Sequence, residues 1–190
     1  MLNTTTEFDP GTVLSEQLSW HFENQARPRL DGLTDEELDW EPVADCWGVR
    51  RRSSPEQKGS GDWTIDFAHP APEPAPVTTI GWRLAHVVVG VLGARAASHV
   101  EAQFRWGSAD YDAWPYAGTA DEALAQLDAT YAAWSDGVRG LTPADLHRQV
   151  GPAEGPWAEH SMGDLVAHIN REAIHHLAEI ALLRDLYAHR

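Results

Sequence analysis

At 190 residues the chain is long enough to bury a sizeable core and short enough that a single domain over 1–190 is expected. Its formal charge of −15 argues against a nucleic-acid partner, because phosphate binding draws on a positive surface, and its one cysteine, Cys46, excludes an intramolecular disulfide and a cysteine-built metal cluster. No stretch reads as the roughly 20 consecutive apolar residues of a membrane span, and the first ten residues carry neither a basic residue nor an apolar run, so a soluble, cytoplasmic protein is expected.

In chain order, residues 1–11 read as an N-terminal tail. A helical segment over 12–30 opens at Thr12 or Ser15 and places Val13, Leu14, Leu18 and Phe22 near helical spacing before Pro28. Leu33 to Leu38 is a short capped stub. From Trp40 to Val77, prolines at 42, 55, 70, 72, 74 and 76 break any long helix. Trp47, Trp63, Ile65 and Phe67 indicate that this connection packs on the fold and borders a site. Within it, Arg50, Arg51 and Arg52 read as a solvated loop, and Cys46 has no neighbouring base to activate it.

A second helix is expected from Thr79 to Phe104, with Ile80, Leu84, Val87, Val88, Val91 and Leu92 on its apolar face. Another stripe of the same helix carries Trp82, His86, Gly90, Gly93 and Ala97. Glycine costs about 1 kcal/mol in a helix interior, so its use beside His86 implies that something approaches closely there. Residues 105–118 read as a loop, Thr119 to Gly140 as a third helix, and 141–160 as a Pro- and Gly-broken connection. Ser161 caps a last helix that runs to about Ala188. With almost no β-branched alternation, these elements predict an all-α four-helix bundle with long crossover connections.

The last helix contains His168-Ile169-Asn170-Arg171-Glu172-Ala173-Ile174-His175-His176. Residues four apart share a helix face, so Glu172 and His176 could offer a carboxylate oxygen and an imidazole nitrogen to one cation. With Met162 set at zero, His176 falls at about 320° and Glu172 at about 280°, on the edge of the apolar stripe. His168 and His175 fall at about 240° and 220°, where they could orient ligands or meet solvent. His86, on the only other long helix with an inward-looking histidine, is the natural third ligand. Taken alone, each of these residues also reads as an ordinary core histidine or helix-surface pair.

Two segments resemble the DinB/YfiT-like superfamily of metal-binding four-helix bundles: Thr78-Thr79-Ile80-Gly81-Trp82-Arg83-Leu84-Ala85-His86, and His168 through Arg184. Arg27 to Thr34 and Cys46-Trp47 extend the likeness. Such proteins carry one ligand His early in the second helix and a His-x-x-x-His pair in the last, often followed by Arg-Gly-Gln. Here His86 and His176 match the first and last of these, Glu172 stands where the middle His usually does, and Leu177-Ala178-Glu179-Ile180 follows.

The resemblance implies a divalent ion, zinc or nickel, held by His86, Glu172 and His176, with His168 and His175 around them. It also implies a thiol-dependent S-transferase or isomerase acting on a small electrophile, and dimerisation is common among relatives. Thirteen of the fourteen basic residues are arginine, the look of a GC-rich bacterial genome, which makes mycothiol the expected thiol. The competing expectation is a non-catalytic binding or dimerisation module with a degenerate site, for which Glu172 is the main evidence.

Overall fold

The computed structural model describes residues 8–190; Met1 to Glu7, most of the expected tail, lie outside the described residues. The first helix, α1, spans Pro10–His21 and so starts before Thr12 or Ser15. Asp9 sets that start: its Oδ1 accepts from the Gly11 N–H at 3.2 Å and its Oδ2 from the Thr12 N–H at 3.1 Å, while Pro10 takes the first helical position, where no N–H is missed. A π turn over Phe22–Ala26 and a 3-10 turn over Pro28–Leu30 carry the chain to α2, Asp35–Leu38, which Thr34 and Glu37 cap reciprocally.

The 40–77 connection is not strand-free, as the sequence had implied. β1, Val49–Arg51, pairs antiparallel with β2, Trp63–Ile65, in the register Val49 to Ile65. Three residues per strand are too few for alternation to stand out in the sequence. The arginine cluster is accordingly not a free loop. Arg50 lies on β1 and is tied to Glu41 (2.6 Å) and Asp66 (3.2 Å), and Arg51 pairs with Asp62 across the hairpin. Cys46 is buried, its Sγ–H donating to the Val43 carbonyl.

Thr79 caps α3, Ile80–His86, which continues through a π-helical stretch, Val87–Gly93, into α4, Ala94–His99. The rod ends at His99 and not at Phe104, because Glu101 adopts a left-handed conformation (φ 56°) and the Ala102 N–H turns back to the Ala96 carbonyl. By length and composition Ile80–His99 is apolar enough to cross a membrane, contrary to the sequence reading, and 56% of its most apolar 18-residue stretch is buried inside the protein, as in a core helix. Thr119 caps α5, Ala120–Arg139. After α6, Pro143–His147, and a 3-10 stretch, Pro152–Trp157, the Ser161–Asp164 capping box starts α7, Met162–Ala188.

The molecule is thus mostly helical with one small hairpin. α1 packs against α5 and α7, and the Ile80–His99 rod packs against the same two helices from the other side. Leu18, Phe22, Leu84, Val88, Leu92, Leu127, Trp134, Val166, Ile169, Ala173, Leu177 and Ile180 fill the space between. Full burial of one such large aliphatic side chain is worth about 1.5–3 kcal/mol, so this shared interior is what fixes α3 against α7. At the far end of α7, Arg184 reaches α2: Nε and Nη2 meet the two Glu37 carboxylate oxygens at 2.7 and 3.1 Å, and Nη1 donates to the Arg29 and Asp31 carbonyls.

Candidate metal centre

His176 is the hub of α7's polar face. It is buried, while Glu172, one turn before it, sits at the rim with 35% of its side chain exposed, less inward than its position on the helix suggested. The Glu172 Oε2 lies 3.8 Å from His176 Nε2. On the other side of the ring, Glu179 Oε2 lies 2.8 Å from His176 Nδ1, and its Oε1 lies 3.3 Å from His175 Nε2. Arg83, from α3, places Nη1 2.8 Å from Glu179 Oε2 and 3.1 Å from His176 Nδ1. A carboxylate facing Nδ1 at that distance demands a proton between them, so Nδ1–H donates to Glu179 and Nε2 is the ring nitrogen turned towards Glu172.

His86 meets this group from α3. Its ring centre lies 4.7 Å from that of His176, with the planes nearly perpendicular. Trp82 stacks on its other side at 5.3 Å, and the Trp82 indole N–H donates to the Asp66 carbonyl, which clasps the 40–77 connection to the helix. His86 Nδ1 lies 2.6 Å from the Tyr111 hydroxyl. A phenol can donate to or accept from that nitrogen, so Tyr111 serves either tautomer and leaves Nε2 for another partner. Gly90 explains the approach the sequence had signalled: a Cβ there would lie 2.1 Å from Tyr111 Oη. The π stretch that follows His86 is a distortion often found at functional sites.

Burial, helped by His176, Arg83 and Arg95 and opposed by Glu179, pushes His86 down to about 4. Burial likewise pushes the Tyr111 phenol up to about 12. At neutral pH His86 is therefore an uncharged imidazole, the form that binds metal. The folded value lies below the ordinary 6.5, so between those pH values the unfolded chain binds the extra proton. In chelator-treated protein the stabilisation is full above about pH 6.5 and is lost as pH falls towards 4, by roughly 3 kcal/mol in all. Urea titrations across this range should show that loss in the wild type and a flatter profile in His86→Leu.

Of the flanking histidines, His168 is half-exposed, 3.8 Å from Glu172 Oε1, and its Nδ1 accepts from Arg171 Nη2 at 2.8 Å. His175 is exposed and contacts Glu179. The sequence reading missed Arg83, Tyr111 and Glu179. Among the described residues, His175, His176 and Glu179 bring three possible ligand atoms within 4.8 Å of one another, a group that could hold a metal ion.

A sequence model of the DinB superfamily matches residues 18–180, a span that includes every one of these residues. The chain belongs to the DinB superfamily. No curated protein and no solved structure matches it. In this DinB-superfamily chain His175, His176 and Glu179 are the group whose ligand atoms converge within 4.8 Å among the described residues; the sequence-predicted His86 and Glu172 each stand beside His176, but the three do not form such a group. Two imidazoles binding one ion at about 2.1 Å, with bond angles between about 90° and 110°, bring their ring centres to about 4.5–5.2 Å of each other; His86 and His176, at 4.7 Å, fit that spacing. Both also have Nδ1 engaged by another group, as ligating histidines do. On the other side, the Arg83 guanidinium already lies against Glu179 and His176 Nδ1, so a dication bound by His175, His176 and Glu179 would face a like charge. The donor chemistry fits a divalent ion, and Arg83 lies close to both sides of the ring, since it also helps push His86 down.

Gly90→Ala tests whether Tyr111 supports the centre. The added methyl group must expel the Tyr111 hydroxyl from His86 Nδ1, and zinc affinity by calorimetric titration should fall by about tenfold, as in Tyr111→Phe. Wild-type affinity in both variants would exclude Tyr111 from the site.

Proposed function

We propose that this chain is a DinB-type four-helix bundle with long crossovers, working as a divalent-metal-dependent enzyme: a mycothiol-type, low-molecular-weight-thiol S-transferase or isomerase. The observation that carries the metal reading is the perpendicular pair of His86 and His176, with Glu172 beside the latter. Three protein ligands from His86 Nε2, His176 Nε2 and Glu172 would leave positions open to small molecules, the mark of a catalytic site as against a structural one. A zinc or nickel ion held there would supply Lewis-acid chemistry, lowering the pKa of a thiol co-substrate.

The chain's own residues do the rest. Tyr111 and Glu179 fix the two imidazole rings through their Nδ1 atoms, and Arg83 balances the Glu179 charge. Trp82 closes one side of His86 against water. The thiol and the small electrophile rest on the family resemblance, and the cytoplasmic setting on the N-terminal residues, which do not read as a secretory signal. A homodimer is supported by apolar side chains exposed on α1 and α7, Val13, Trp20, Leu182 and Leu186.

A second reading, a non-catalytic binding module with a degenerate site, is favoured by Glu172, which replaces a buried imidazole with a half-exposed carboxylate. Thermal unfolding separates the two. A ligand of the folded state raises the melting temperature. Zinc or nickel, and then mycothiol added to the metal-loaded protein, should each raise it. A rise with metal and none with thiol would favour the module, and no rise with either metal would remove the metal centre.

A further inference from the structure

Between α4, the chain from Val150 to His160 and the start of α7 lies a cavity of about 550 Å³, well within the range of small-molecule sites. Its wall includes Arg95, Glu154, Trp157, His160, His168 and Arg171. It adjoins the candidate metal centre, since His168 Nδ1 and Arg171 Nε lie 3.8 and 4.0 Å from Glu172 Oε1.

The charges on this wall are not equally available. Both Glu154 oxygens are engaged, one by His99 Nε2 at 2.9 Å and the other by Arg95 Nη2 at 3.1 Å. Burial works to raise the Glu154 pKa, but these hydrogen bonds outweigh it and keep the carboxyl below its usual range, so Glu154 is a spent anion. Asp164 Oδ2 accepts from the Ser161 hydroxyl and N–H, which fixes this exposed carboxylate at the start of α7, where the helix dipole offsets part of its charge.

What remains open is cationic, donor-bearing and aromatic. Arg171 is 69% exposed, and its nearest carboxylate is the distant Glu172 contact. Because His168 Nδ1 accepts from Arg171, its Nε2 carries the proton and can donate. Trp157, 63% exposed and edge-on to His160 at 5.4 Å, offers a large bare indole. In a chain of charge −15, this chemistry selects an anion with an apolar body.

We propose that this cavity binds a small organic carboxylate with a flat apolar body, the carboxylate engaged by Arg171 and the His168 Nε2–H and the body laid against Trp157. That the carboxylate is the enzyme's electrophilic substrate rests on the function proposed above; the binding itself does not.

Calorimetric titration of the whole, chelator-treated chain with cinnamate and with its neutral isostere cinnamamide tests it. Cinnamate should bind about tenfold more tightly than the amide. Arg171→Gln should erase that preference, Arg171→Lys should restore part of it, and Trp157→Ala should weaken both ligands; all are exposed positions at which the fold is not at stake. Equal binding of acid and amide, a preference that survives Arg171→Gln, cinnamate binding that appears only after zinc is added, or no binding at all would each overturn the proposal. Cinnamate binding by a protein that takes up no zinc would sink the metal reading alone.

Discussion

Exchange of His176 for alanine should weaken zinc or nickel binding by at least about a hundredfold, because it removes a ligand and not merely a supporting hydrogen bond. His86→Ala should do the same. The informative comparison is with the other face of the ring. If Glu179 acts by orienting His176, Glu179→Gln should cost about tenfold, and His175→Ala, which contacts Glu179 and the His176 ring, should cost little. If the ion instead sat among His175, His176 and Glu179, His175→Ala and Glu179→Gln would be the damaging changes and His86→Ala nearly silent. Competition titration against a chelating dye reads all four variants on one scale.

The second large effect lies at the opposite end of α7. Only 8% of the Glu37 side chain and 17% of the Arg184 side chain are exposed, and the two are joined by a pair of parallel hydrogen bonds. Arg184→Ala strands the Glu37 carboxylate and frees the Arg29 and Asp31 carbonyls together, which should cost about 3–5 kcal/mol and lower the melting temperature by roughly 10 °C. Replacing both partners, Glu37→Leu with Arg184→Met, should recover part of that loss, since no unpaired charge stays buried although the Thr34–Glu37 cap and the two carbonyl bonds are not restored. Arg29→Ala is the reference: its pair with Asp185 is about half-exposed on both sides and worth less than about 1 kcal/mol. An Arg184→Ala protein as stable as Arg29→Ala would show that the Glu37 pair contributes nothing beyond a surface contact.

What could be read in advance was local. Thr79, Thr119 and Ser161 announce helix starts because a hydroxyl that accepts from a backbone N–H three residues on is written in adjacent letters, and all three serve as caps. The facing of His86 and His176 followed from two helical periodicities and a family pattern. Gly90 was legible as a sign of close approach, but the group that approaches, Tyr111, comes from a loop without periodicity, so only the fold could name it.

Arg83 and Glu179 were hidden for a different reason. Each lies one turn from a candidate ligand on its own helix, where a charged residue looks like an ordinary surface side chain; their meeting across the α3–α7 contact is a tertiary fact. The β1–β2 hairpin escaped because three-residue strands carry too little pattern, and the early stop at His99 because nothing in the letters marks Glu101 for a left-handed turn.

Anomalous X-ray diffraction from crystals grown with one equivalent of zinc addresses the assignment directly. One ion should appear bonded to the Nε2 atoms of His86 and His176 and to the Glu172 carboxylate, with His176 Nδ1 still bound to Glu179. An ion on the Arg83 side of the ring, held by His175 and Glu179, or no anomalous peak at either place, would contradict it.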